Sequence, residues 1–508
     1  MKLLLLVLAA SLAGCGGSEA PAPSGQAWFV ESAAERGLAF THATGHHEGV
    51  YWIPETIAGG AALFDREDDG DLDAYLVQGG ALHAGDAALG DQLFENDGTG
   101  HFRDVTSASG TGDPRYGLGV TAGDMDGDGD CDLFVTNLGR NTWYANRGEG
   151  SFDDRSEAGG FTLAGLSTGA VLFDADRDGA LDLFVARYMD WSEELERVCA
   201  QKDYCGPLAY KAPARALLYA NRGAGRFEDV SRASGVWQEP GTGLGVASGD
   251  FDGDGWADVF VANDSMPNHL WRNLGDGRFE NTALASGCGV DANGVAKAGM
   301  GLLAADFDDD LDLDLFVCNL TGESDSYYRN EGRYFSDRTA LLGLAAPSKG
   351  FTRFGLSFGD YDQDGRADLY VANGRIQRAR GQVPVADLYA EPNLHFAGGE
   401  GGRFVEREPR GGTEPVLWAA SRALVQGDVD GDGALDLLVV NRGGPAHLLL
   451  NRTPERGRGV LLRVREASGA DALGARLELE LGAKKLRRDV AVAYGYNASH
   501  DPRVHVGL

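Results

Sequence analysis

Seven nine-residue stretches of this chain carry acids at alternate positions, and carboxylates at that spacing suit a hard cation. The first three are DREDDGDLD (Asp65, Glu67, Asp69, Asp73), DMDGDGDCD (Asp124, Asp126, Asp128, Asp132) and DADRDGALD (Asp174, Asp176, Asp178, Asp182). DFDGDGWAD (Asp250, Asp252, Asp254, Asp258) and DFDDDLDLD (Asp306, Asp308, Asp310, Asp314) follow. The last two are DYDQDGRAD (Asp360, Asp362, Asp364, Asp368) and DVDGDGALD (Asp428, Asp430, Asp432, Asp436). Positions 1, 3, 5 and 9 are acidic in every copy, and side chains at 1, 3 and 5 of a turning chain converge on one point. Glycine at position 6 permits the sharp turn in six copies, and the fifth has Leu311 there. Carboxylates held so close repel one another unless a cation joins them or their pKa values rise. The spacing matches the opening of an EF-hand loop, whose ion takes roughly six to eight oxygens, and calcium is expected over the more strictly octahedral magnesium. Up to seven ions are expected, with loop 5 (Leu311) and loop 1 (Glu67 at position 3) departing furthest from the pattern.

Other candidate chemistry gives way to its context. A nucleophilic serine in the strings Gly165–Gly169 or Gly355–Gly359 (GxSxG) needs a strand–turn–helix elbow and downstream partners. Gly169 and Gly355 instead stand five residues before a loop, as do Gly60, Gly119, Gly245 and Gly301, so they read as repeat glycines. His46-His47-Glu48 reads as an exposed loop, while His269 and His447 precede equivalent strands. No phosphate loop or dinucleotide fingerprint is present, and nothing argues for an enzyme.

The elements that position the acids follow from the repeat. Each loop runs into an apolar stretch such as LFVTN, read as a buried strand. Independently, Phe precedes Gly by eight residues at Phe29/Gly37, Phe102/Gly110, Phe152/Gly160, Phe227/Gly235, Phe279/Gly287, Phe335/Gly343 and Phe404/Gly412. The two counts agree only if the Phe29–Gly37 segment completes the unit ending near Asn451, as in a closed ring. A period of about 60 residues fits a blade of four antiparallel strands. The fold class expected is all-β, a seven-bladed β-propeller over residues 28–455 with a small β module at 456–508. An open solenoid would need capping repeats and gives no reason for the offset.

Composition bounds the partners. A net charge of −32 over 508 residues excludes nucleic acid, and 75 glycines with only 16 prolines and a 43% hydrophobic fraction fit neither a disordered nor a collagenous chain. The charge is uneven: residues 456–508 hold 10 Lys/Arg against 6 Asp/Glu, although the rest of the chain is strongly acidic. Residues 1–15 read as an export signal ending in a lipobox, Leu12-Ala13-Gly14-Cys15, with Cys15 as the lipidation site and 16–27 as a tether. Membrane contact is therefore expected only through the lipid, at the bacterial cell envelope, on the outer membrane or cell surface. In an oxidising compartment Cys199 and Cys205 are expected to pair, while Cys131, Cys288 and Cys318 read as buried thiols.

The acidic loops resemble the FG-GAP or VCBS-type repeats of integrin α-subunit propellers. The order of further segments resembles the cartilage acidic protein family with its ASPIC/UnbV domain. Those segments are YWIPETIAGGAALFD (Tyr51–Asp65), YCGPLAY (Tyr204–Tyr210), VANDSMPNHLWRN (Val261–Asn273), AGMG (Ala298–Gly301), YVANGRI (Tyr370–Ile376), LGARLELE and YGYNASHDPRVHVGL. The resemblance covers about residues 28–508 and implies a secreted or surface-bound, calcium-binding propeller. Arg375 stands where the family pattern leads one to expect histidine, and the C-terminal module is expected to be incomplete beyond Gly507-Leu508.

Thirteen residues after each loop's first Asp stands a polar residue: Gln78, Asn137, Arg187, Asn263, Asn319, Asn373 and Asn441. They read as strand-end caps or as one edge of a ligand face. Because the insertions Tyr188–Ala214, Asp291–Lys297 and Gln377–Pro392 lie beside them, the ligand-face candidates are Arg187, Trp191, Asn263, Asp264, His269, Lys297, Asn373 and Arg375. The function expected is a calcium-binding surface module for an unknown protein or glycan, with a carbohydrate-active or envelope accessory enzyme as the alternative.

Overall fold

The computed structural model describes residues 25–199, 203–482 and 484–508 and the backbone of Leu4–Leu5. The rest of the signal segment, Cys15 with it, and tether residues 16–24 lie outside the described residues. In the first unit Ala61–Phe64, Asp73–Leu76, Gln92–Asn96 and Phe102–Asp104 pair antiparallel in chain order. The same plan recurs over 116–154, 164–229, 243–281, 302–337 and 353–406. The seventh unit takes three strands from 421–451, and its fourth is Phe29–Glu31, with Phe29 opposite Asn451. First strands of successive units touch in order, and that of unit 7 (Ser421–Gly427) touches that of unit 1. The N-terminal strand thus closes a seven-membered ring whose units leave only short, protected edges.

The repeat glycines mark where first strands meet near the axis. A Cβ on Gly60 would lie 2.7 Å from Gly119 Cα, and one on Gly355 would lie 2.6 Å from Arg422 O. Both GxSxG strings therefore lie along first strands, and Ser357 is buried with its Oγ 2.6 Å from Tyr361 Oη. The Phe–Gly pairs mark the rim: each Phe opens a fourth strand, and Gly412 packs on the Phe29 ring at the closing seam. Apolar side chains fill the gaps between units, as where Phe64, Val77, Val120, Leu133 and Val135 join units 1 and 2. Each such residue, fully buried, contributes about 1.5–3 kcal/mol.

The C-terminal residues form two further pairs, Gly459–Leu462 with Val504–Gly507 and Arg476–Leu481 with Lys484–Asp489, around Leu477, Leu479, Leu486 and Val506. Residues 490–501 leave this module and enter the axis of the ring. There Ala61 N–H donates to Asn497 O (3.3 Å), Leu302 and Gly495 exchange backbone hydrogen bonds, and Gln426 N–H donates to His500 Nδ1 (3.2 Å). Tyr496, wholly buried, donates through its hydroxyl to Ile57 O at 2.9 Å and meets the Phe354 ring edge-on. Sequence composition sets 456–508 apart as a module, and the structure adds that its tail is part of the ring's interior. No helix among the described residues is long and apolar enough to cross a membrane.

Tyr496→Ala removes a ring that touches opposite sides of the axis. The substitution is expected to cost about 3–5 kcal/mol, in the range of large aromatic deletions from cores. Urea unfolding checks it, and an unchanged midpoint would show that the tail does not hold the ring.

Candidate metal centres and the opposite face

All seven acidic loops connect first to second strands and share one hydrogen-bond plan. The position-1 carboxylate accepts the N–H of position 6, as Asp124 does from Gly129 (3.0 Å) and Asp306 from Leu311 (3.2 Å). The position-5 carboxylate accepts the N–H of position 7. The position-9 carboxylate opens the second strand; one oxygen accepts the N–H of position 2 and the other an N–H at the third strand's end. Positions 4 and 6 are both left-handed throughout, including Leu311 at φ 73°, so loop 5 keeps the shared geometry without its glycine.

Buried asparagines tie each loop to its neighbour. Asn146 Nδ2 donates to Cys131 O in its own loop (3.1 Å) and to Arg66 O in the preceding one (2.7 Å). Asn96, Asn221, Asn273, Asn330 and Asn451 do the same, Asn96 reaching Val429 O across the seam; unit 6 has Gly398 in this place. The acidic spacing does not point to these residues. In five of the six the signal is an Asn five or six residues ahead of the fourth-strand Phe; Asn451 lacks it because its fourth strand is the N-terminal one.

The donor set fits a hard cation. Ligand oxygens of Asp124, Asp126 and Asp132 lie within 4.8 Å of one another, as do those of Asp174, Asp176 and Asp182, and similar acid trios occur in loops 4, 5 and 6. Buried carboxylate oxygens lack any hydrogen-bond partner at Asp126, Asp174, Asp250, Asp362 and Asp430. Burial raises the position-9 carboxyls: Asp182 and Asp314 are pushed up to about 7, Asp73 and Asp258 to about 8, and Asp132, Asp368 and Asp436 well above the usual range. A divalent ion among these oxygens would remove the cost of ionising them.

The basic C-terminal module lies on this acidic end. Arg463 NH1 donates to Asp65 Oδ2 (2.7 Å), Lys484 Nζ lies 3.1 Å from Asp309, and Arg487 NH1 donates to Leu311 O (3.0 Å). The composition change at residue 456 is thus a charge match to the loops.

Antiparallel order places the second-to-third-strand connections at the other end, where the insertions cross between units. Cys199 and Cys205 are bonded, and beside them Tyr204 donates to Glu55 Oε2 (2.6 Å) and accepts from Arg442 (2.8 Å). Asp203 accepts from Tyr389 Oη (2.9 Å) and from Arg378 N–H (2.8 Å). The strap of unit 3, described over 188–199 and 203–214, therefore reaches units 6 and 7 through Asp203 and Tyr204. Rings of His46, Tyr51, Tyr204 and Tyr389 form a chain with centroids 5.3–5.7 Å apart, and Trp52 meets Trp191 at 5.4 Å. His46 lies in an exposed loop as expected, and the wholly buried Glu55 holds its Nδ1 at 2.6 Å.

Several proposed ligand-face residues have other work. Asn263 and Asn373 are buried, and their Nδ2 groups hold turns through Pro267 O and Pro392 O (2.7 Å each). Asp264 is buried under the Tyr188 hydroxyl (2.7 Å), His269 is buried and lowered by burial to about 4, and Arg187 folds back onto Ala164 O and Asp190. Lys297 Nζ binds Ser324 O (3.2 Å), leaving Trp191 and Arg375, the latter 3.2 Å from Glu391, as the candidates in the cap. The sequence lacked the tertiary information that brings Glu55, Tyr204 and Tyr389 together.

The FG-GAP-like repeat profile matches residues 65–135, 124–185, 208–261, 250–317 and 306–371. Among curated relatives, cartilage acidic protein 1 of Xenopus tropicalis is 28% identical over 284 residues, 52% of this chain and 40% of that protein. The Homo sapiens protein is 28% identical over 304 residues, 57% of this chain and 42% of its own. The chain thus spans about two fifths of the relatives it matches. Among solved structures, an Agrocybe aegerita lectin recognising terminal N-acetylglucosamine overlaps at TM-score 0.39 and 17% identity, covering 72% of this chain and 88% of its own. Rhamnogalacturonan lyase YesW overlaps at TM-score 0.41 and 14% identity, covering 77% and 71%.

The raised position-9 carboxyls set a pH test. Without a cation the folded protein binds protons there that the unfolded chain releases, so stability is lost as pH rises from the ordinary carboxylate range through about 8. In chelator the thermal midpoint is expected to rise between pH 8 and 5, whereas with excess divalent ion it should fall as protons compete for the ligands. Parallel curves in the two buffers would argue against ions in the loops.

Proposed function

We propose, from the premise that this chain belongs to the FG-GAP-like repeat family, that it is a calcium-stiffened propeller serving as a non-catalytic binding module for a surface protein or glycan. The observation that carries this reading is the division of labour between its ends. One end bears repeated oxygen cages tied in series by asparagines. The other bears a cap built from insertions of several units, with Tyr51, Trp191, Arg375 and Tyr389 at least partly exposed. Calcium suits the cages because all their side-chain donors are oxygen and the carboxylates are several. Aromatic rings beside guanidinium and carboxyl groups suit adhesion, since they combine area with directed hydrogen bonds. The lipobox ending at Cys15 supports a lipid-anchored module at the bacterial envelope.

One observation favours the enzymatic alternative: the buried Glu55 orients His46 through Nδ1, an arrangement that also serves proton transfer. Turnover on polysaccharides that disappears in His46→Gln would establish it.

Ion binding stabilises a fold by about 2.7 kcal/mol for each site held at a hundredfold its dissociation constant. EGTA is therefore expected to lower the thermal midpoint and calcium to restore it; an indifferent midpoint would sink the metal half of the reading. For the ligand half, a glycan array and a pull-down from envelope extract should yield a partner whose binding weakens at least tenfold in Tyr51→Ala or Trp191→Ala. Equal binding by both variants would move the site elsewhere.

A further inference from the structure

Loop 1 stands apart from the other six in what touches its acids. Arg66, at position 2 and with its side chain only 8% exposed, donates from NH2 to Glu67 Oε1 and to Glu95 Oε1 (2.6 Å each). Its NH1 donates to Gly150 O (2.8 Å), and its Nε lies 3.4 Å from Asp73 Oδ2. From the C-terminal module, Arg463 NH1 donates to Asp65 Oδ2 (2.7 Å), while Asp471 holds the Arg463 Nε at 2.8 Å. Arg465 pairs with Asp68 in the same loop. Positions 1, 3 and 9 are thereby each in contact with a guanidinium.

The other loops differ in their direct pairs, although partly buried Arg488 lies near Asp306 and Asp360 and Arg503 near Asp428. Arg272, Arg329 and Arg452 reach positions 3 and 5 of loops 4, 5 and 7, but as rim side chains about 35–44% exposed. Among the described residues no position-1 acid except Asp65 has an ion pair. Charge explains why loop 1 can do without a metal. Two guanidinium groups bring two positive charges among its four carboxylates, as one divalent ion would, although Arg66 also pairs with Glu95 and Arg463 with Asp471. An incoming ion would have to displace Arg463 from Asp65 and take Glu67 and Asp73 from Arg66, leaving a buried guanidinium poorly paired, which is costly. Glu67 Oε2 and Arg66 Nε are left without a hydrogen bond there, and the other oxygen of Glu67 is already taken.

We infer that loop 1 holds no ion, that Arg66 and Arg463 are its resident cations, and that this guanidinium-filled loop is the latch by which the C-terminal module is fastened to the ring. The ring then takes up at most six ions, and the tail that fills the axis is held at its base by an ion pair in a place where the repeat elsewhere is built for a metal.

The test uses the full chain equilibrated with buffered calcium, with bound calcium measured by elemental analysis. Asp124→Asn, in loop 2, is expected to lower the content by one equivalent. Asp65→Asn and the milder Asp69→Asn, whose carboxylate touches no guanidinium, are expected to leave it unchanged. Loss of one equivalent in Asp69→Asn would overturn the inference even if Asp65→Asn failed to fold. Arg463→Gln is expected to keep the calcium content and to speed amide hydrogen exchange across residues 459–481 at least tenfold, and unchanged exchange would overturn the latch. If the wild-type chain bound no calcium, the proposed function would fall, and the exchange measurement would still decide this inference.

Discussion

A buried carboxylate at the ninth position of each acidic loop is the joint on which the molecule depends. One of its oxygens fixes the loop's second residue and the other fixes the end of the third strand, so loop and strand cannot move independently. The neighbouring asparagine then carries the constraint to the preceding unit, and Asn96 does so across the closing seam to Val429. Six such ties in a ring of seven make the acidic end one mechanical body. Burial that makes the joint rigid also raises the carboxyls' pKa, so the same side chains that order the fold create its demand for positive charge.

That demand explains the C-terminal residues. A basic module beside an acidic ring is a charge match whose best-formed contact lies at Asp65, and from it the chain turns into the axis. The ring is therefore filled by its own tail below and crossed by the disulfide-bonded strap above.

Much of this was legible in the sequence, because the features that set ring architecture repeat. Seven loops and seven Phe–Gly pairs require the Phe29 strand to close the last unit, and Phe29 does pair with Asn451. Leu311 adopts the left-handed turn without a glycine, so the shared backbone geometry survives where the residue type breaks the pattern. Position 4 is left-handed as well but is glycine in only three loops, so its constraint did not show in residue type. The face residues were harder to see because Asn263 and Asn373 have the look of binding residues and the work of turn clamps. Glu55, Tyr204 and Tyr389 meet only after distant insertions fold over the axis, and no local pattern encodes that meeting.

The two ends consequently answer to different pressures. At the loop end the position-9 acids and the asparagines tie loops to strands and to neighbouring units, so a substitution of those residues disturbs the ring itself. At the cap the same scaffold supports strap 188–214 through Tyr204 and Asp203, while Trp191 and Tyr51 face partly outward from it. A rigid base beneath variable insertions lets surface chemistry change without altering the joints that hold the ring. Loop 1 sits where these demands meet: it keeps the joint of the repeat but fills it with arginine, so one metal position serves to attach the segment that completes the axis.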